Sequence, residues 1–154
     1  MSAQTAAERR VAEAQVDELL ARLAPGHESL ISATRKWVQK RLPSAYELVY
    51  EYTSWLVISY SPNEHGYEGV LAIRASASGV ALHFSHGKEL PDPEKLLQGT
   101  GKLTRSIPLE AASMLARPAV ARLADEAIAR NTVPFAAAGR GPLVVRPAAK
   151  KKKR

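Results

Sequence analysis

The stretch YELVYEYTSWLVISYSPNEHGYEGVLAIRASASGVALHFS, residues 46–85, decides the fold class. Its apolar residues repeat with a period near 2, and β-branched and aromatic side chains concentrate in it, as in strands half buried against a core. Four strands are expected, Glu47 to Tyr52, Trp55 to Ser61, Gly69 to Ala75 and Val80 to Ser85. Thr53-Ser54, Pro62 through Gly66 and Ser76 through Gly79 mark the links between them. Such short links favour antiparallel hairpins, and a meander is the simplest topology.

The flanks are helical. Val16, Leu19, Leu20 and Leu23 form an apolar stripe on a first helix from about Glu8, which Pro25-Gly26 ends. A second helix is expected from His27 to Leu42, with Leu30, Ile31, Thr34, Trp37, Val38 and Leu42 inward, Arg35, Lys36, Lys40 and Arg41 outward, and Pro43 closing it. Downstream, LPDPEKLLQGTGKLTRSIPL at 90–109 reads as a short helix over Pro93 to Gln98 capped by Asp92, a turn at Gly99 and Gly101, and a fifth strand from Leu103 to Leu109. Arg117 to Arg130, with Ser113 as a cap and Pro118 in its first turn, supplies a closing helix with Val120, Leu123, Ala124, Ala127 and Ile128 inward. Grouped strands with helices at the ends imply an α+β fold. It has two N-terminal helices, a mainly antiparallel five-stranded sheet with a short helix before the last strand, and a C-terminal helix.

The chain of 154 residues, 45% apolar and 24% charged, fits one domain. It has no cysteine, which excludes disulfides, thiolate metal sites and cysteine nucleophiles. No apolar run approaches the roughly 20 residues that cross a bilayer, and the charged N-terminus lacks a signal-peptide core, so a cytoplasmic protein is expected. The net charge of +7 is unevenly placed. Residues 1–131 balance 15 basic against 15 acidic side chains, whereas 132–154 carry Arg140, Arg146, Lys150, Lys151, Lys152, Lys153 and Arg154 and no acid. The domain is therefore expected at 1–131, followed by a disordered Pro/Gly/Ala-containing basic tail at 132–154.

Three groups of residues have a bearing on chemistry. Gly99, Thr100, Gly101 and Lys102, with Arg105, could present amides and cations to an anion. A Walker loop is excluded by Leu96 and Leu103, and the same glycines serve equally to turn the chain into its last strand. If the larger residues of each strand face the helices, Glu47, Glu51, Ser59 and His83 share the opposite face. Glu47, Glu51 and His83 then offer oxygen and imidazole to a metal, although ordinary polar residues on a solvated sheet would look the same. The cationic run Lys150–Arg154 could bind DNA or RNA weakly and without sequence preference, or merely solubilise the chain end. There is no nucleophile elbow, no HExxH and no complete catalytic set, so a binding module is expected rather than an enzyme.

Several ordered elements carry a resemblance. They are the aromatic strand end HFSHG, then Leu90-Pro91-Asp92-Pro93, Leu97, Gly99-Thr100-Gly101-Lys102 and Arg105, with DELLARLAP at 17–25 and YELVYEY at 46–52 upstream. Together they are similar to the YdhG-like family of small bacterial domains over roughly residues 16–130. That family resembles frataxin, which implies an α+β layout and a small ligand or iron as cargo, as in a frataxin-like iron chaperone. The acids that resemblance would enlist on the first helix, Glu8, Glu13, Asp17 and Glu18, are interrupted by Arg9, Arg10 and Arg22. The reading is a small-ligand or metal-binding module, with tail-mediated association with nucleic acid as the alternative.

Overall fold

The computed structural model describes residues 3–148. Helix α1, Ala6–Leu23, starts at a reciprocal cap: Thr5 Oγ1 accepts from the Glu8 amide at 3.0 Å, and Glu8 Oε1 accepts from the Thr5 amide at 2.8 Å. Pro25 cannot continue it, and Gly26 turns the chain at φ +86°. Helix α2 follows at Glu28–Arg41 and stops before Pro43. The strands are β1 Tyr46–Glu51, β2 Trp55–Ser61, β3 Leu71–Ser76, β4 Gly79–Phe84, β5 Arg105–Leu109 and β6 Leu143–Arg146. Helix α3, Pro118–Ala129, opens on the expected proline.

The strands form one mixed sheet in the order β5-β4-β3-β2-β1-β6. From β1 to β5 it is the expected antiparallel meander, and β6 lies parallel to β1 at the other edge. All three helices contribute to a core that also holds Val49, Ile58, Ile73, Leu82 and Ile107, which lie in one row across five strands. The opposite face carries Leu48, Ser59, Ala72, His83 and Ser106 in the neighbouring row.

Several expectations are corrected. First, 132–148 is not a loose tail. The Gly141 amide donates to Pro43 O at 3.0 Å, the Glu47 amide donates to Pro142 O at 2.9 Å, and Gln4 brackets Leu143 with two hydrogen bonds. An unpaired β1 edge would expose a row of amides and carbonyls, and the Leu143-Val144-Val145 run is suited to covering it. Leu143 is only 1% exposed.

Second, 93–98 is not a helix. Asp92 accepts from the Leu96 and Leu97 amides at 2.9 and 2.8 Å, Lys95 takes φ +55°, and Gln98 pairs with Ser106 as a single bridge. The fifth strand accordingly begins at Arg105. Ser113 caps nothing, because Ala112–Ala116 is a 3₁₀ segment and Arg117 precedes α3.

Third, the phase of β1 is inverted. Glu47, Val49 and Glu51 face the helices, opposite Tyr60, Ile58 and Leu56, whereas Leu48 and Tyr50 face away. Fourth, Arg35 lies inside, at 8% exposure. The last two have one cause: Glu47 and Arg35 draw each other under α2.

Candidate functional site

Glu47 is 2% exposed, and four side chains meet its carboxylate. Arg35 donates Nε to Oε2 at 2.9 Å and Nη2 to Oε1 at 3.0 Å, a bidentate pair. Gln39, one turn further along α2, donates to both oxygens at 3.1 Å, and the Tyr60 hydroxyl donates to Oε2 at 2.5 Å. Arg9 of α1 reaches Oε1 at 3.4 Å. Arg35 also holds Glu13 at 2.9 Å.

Burial opposes the charge on Glu47, but the Arg35 pairing and the Tyr60 and Gln39 hydrogen bonds outweigh it and hold the carboxyl below its usual value. Burial also opposes the charge on Arg35, and the two carboxylates outweigh it and hold the guanidinium firmly protonated. Burial and the neighbouring Glu47 push the Tyr60 phenol up, so it remains a donor.

This network floors a cavity of about 910 Å³ between α2, the Ala112–Ala116 segment and the chain before β6. Trp37, Leu42, Pro43 and Leu115 give it apolar walls. The rim is cationic, with Arg9, Lys36, Lys40 and Arg140. Lys36, Lys40 and Arg140 make no ion pair among the described residues, and Glu47, the carboxylate that lines the cavity, is consumed by its own partners. Arg9 donates Nη1 to Gly141 O at 3.0 Å, while its buried Nε makes no hydrogen bond among the described residues and lies 3.5 Å from Glu13 Oε2 as an ion pair. Burial and the nearby Arg140 lower the Arg9 pKa. The concave surface therefore has an apolar body and a surplus of positive charge near Arg9 and Arg140.

The metal candidates do not converge. Glu47 and Glu51 lie on the helix side of β1, where Glu51 takes Arg22 of α1 at 2.8 Å, and His83 lies on the opposite face of the sheet. His83 and Ser59 do share that face, as expected. Among the described residues no group of three His, Asp or Glu side chains is placed to hold a metal. On α1, Glu8 serves the cap and Glu13 serves Arg35, which removes half of the acids a frataxin-like ridge would need.

In the glycine loop, Arg105 donates Nη1 to Gly101 O at 2.6 Å and to Thr104 O at 2.7 Å, so its guanidinium is committed to the loop's own carbonyls. Gly99 adopts φ +129°, which fits the turn reading of the loop that also holds Thr100 and Lys102. Lys150, Lys151, Lys152, Lys153 and Arg154 lie outside the described residues.

Sequence reasoning missed Arg9, Arg35, Gln39 and Arg140. The available signal was the spacing of Arg35 and Gln39, four apart on α2, combined with a glutamate and a tyrosine at apolar-phase positions of neighbouring strands. No family model, curated protein or solved structure matches the chain.

Proposed function

We propose that the chain is a small-ligand-binding module that takes an organic anion with an apolar body in the cavity under α2. The observation carrying this reading is the pairing of apolar walls with a cationic rim, in which Lys36, Lys40 and Arg140 make no ion pair among the described residues. A carboxylate beside Arg140 would give that cation a counter-charge and relieve its repulsion of the partly buried Arg9, and its hydrocarbon part would cover Trp37 and Leu115. The same positive rim repels a metal cation, so the iron cargo implied by the YdhG-like resemblance is not assigned to this cavity. Tyr60 and Glu47 satisfy one another beneath it and act as a rigid floor rather than as a reacting pair.

Trp37 makes the reading testable, since the chain has one other tryptophan, Trp55. In a Trp55→Phe protein, decanoate is expected to change the Trp37 emission saturably. Arg140→Ala is expected to weaken that binding about tenfold, the loss of one charge-assisted contact. An equal response to decylamine, which has the same body and the opposite charge, contradicts the proposal. No response to decanoate also contradicts it.

A further inference from the structure

The sheet face turned away from the helices has its own groove. The segment 62–69 folds over it closely: a Cβ on Gly66 would lie 2.0 Å from the Tyr50 hydroxyl, and one on Gly69 would lie 2.3 Å from Ser59 Oγ. Between this segment and the strands lies a groove of about 710 Å³ that includes Tyr50, Tyr52, Val57, His65, Tyr67 and Arg146. Aromatic rings dominate it. Tyr67 is 82% exposed and stacks on His65 at 5.2 Å between ring centres; Tyr52, 41% exposed, stacks on Trp55 at 4.9 Å with 13° between planes.

Cations accompany the rings. Arg74 lies 5.1 Å over Trp55, and Arg146 lies 5.3 Å over Tyr50 while donating Nη1 to its hydroxyl and Nη2 to Glu64 O, both at 2.7 Å. Arg146, Tyr50, Val57 and Arg74 form one row across four strands. Among the described residues, no strand position on this face carries Asp or Glu, and Glu64 is the one acid lining the groove. The described chain ends at Ala148, whose amide donates to Glu51 at the same end of β1, and the six residues that follow include five Lys or Arg.

We infer that this face binds single-stranded nucleic acid, with bases stacking on Tyr67 and Tyr52, phosphates meeting Arg74, and Arg146 adding positive charge to the groove floor. Exposed π-faces accept any unpaired base, whereas a duplex keeps its bases stacked and cannot offer them. Net positive charge, including five Lys or Arg among the six residues after Ala148, supplies the sequence-independent attraction. The inference is independent of the cavity under α2, which lies on the other side of the sheet.

The test is fluorescence anisotropy of a labelled twelve-residue oligouridylate RNA with the full chain at low salt. Single-strand binding tighter than binding to an RNA duplex of equal length is expected. The Tyr52→Ala/Tyr67→Ala/Arg74→Ala protein should bind about tenfold or more weakly, as removal of stacking surfaces predicts. Tyr67→Ala alone, at so exposed a position that folding is unaffected, should weaken binding about fivefold and covers the case of a triple variant that fails to fold. A chain ending at Ala148 should bind more weakly yet keep its preference for single strands. Unchanged affinity in the Tyr67→Ala protein, equal affinity for the duplex, or loss of all binding on ending the chain at Ala148 would overturn the inference.

Discussion

Tyr60 and Glu47, cross-strand partners on β2 and β1, share a hydrogen bond of 2.5 Å in which the phenol donates to Oε2. Both are buried, and both belong to the face that covers the core. The pair explains why a glutamate occupies an inward strand position: its second partner, Arg35, descends from α2 to meet it, so helix and sheet are joined by charge as well as by apolar contact.

Removing that charge should be costly. Glu47→Gln leaves the Arg35 guanidinium buried without its bidentate partner, and urea denaturation should show a loss of about 3–5 kcal/mol. Glu51→Gln, which breaks a pair with the half-exposed Arg22, should cost under about 1 kcal/mol. Similar losses at the two sites would contradict the assignment of Glu47 as the joint.

Stability should fall at both extremes of pH, through different residues. The folded-state pKa of Glu47 lies below its ordinary 4.5, so its contribution is complete above that value and is lost as pH falls through the depressed pKa. Tyr60 lies above its ordinary 10.0, so its contribution is complete below that value and is lost as pH rises through the elevated pKa. Urea midpoints measured against pH should show a flatter acid limb in Glu47→Gln and a flatter alkaline limb in Tyr60→Phe. Glu8 and Glu51, also held low by their hydrogen bonds, keep the acid limb from vanishing.

The segment before β6 should be intolerant of even one methyl group. A Cβ on Gly141 would lie 1.8 Å from Ala45 O and 2.6 Å from Ser44 O, both backbone atoms with no rotamer to move. Gly141→Ala is expected to cost about 3 kcal/mol in thermal or chemical unfolding. A chain ending at Asn131, which uncovers the β1 edge, should be destabilised further. Wild-type stability in either protein would contradict the place of β6 in the fold.

Asp92 should act as a local clamp. Its carboxylate holds the Leu96 and Leu97 amides, so Asp92→Ala is expected to cost about 1–2 kcal/mol and to speed amide exchange at those two residues. Exchange unchanged at Leu96 and Leu97 would contradict this role.

Much of the fold was legible in residues 46–85 because strand periodicity, turn residues and short links agree there. Trp55–Ser61 matches its expected bounds, and the meander follows from hairpins too short to cross over. The phase of β1 was not legible, since YELVYEY alternates apolar residues on both faces and only the long-range partner Arg35 decides which face is buried. Nor was β6: four residues after a Pro/Gly/Ala segment carry little local signal, and their place depends on an edge 96 residues earlier. Pro93–Gln98 misled because Asp92 caps amides without a helix behind them. For the cavity, its walls were visible as the apolar stripe of α2, but the cations that converge on it come from α1, α2 and the chain before β6, and no spacing in the sequence brings Arg9 beside Arg140.

The most direct measurement is a ¹H–¹⁵N spectrum of the full chain titrated with decanoate. Saturable shifts are expected, confined to the Trp37 indole, the Gln39 side-chain amide and the backbone of Ala33, Leu115 and Gly141, and in Arg140→Ala the same shifts should need about tenfold more decanoate. Shifts clustered on the opposite sheet face, or none at all, would contradict a ligand site under α2.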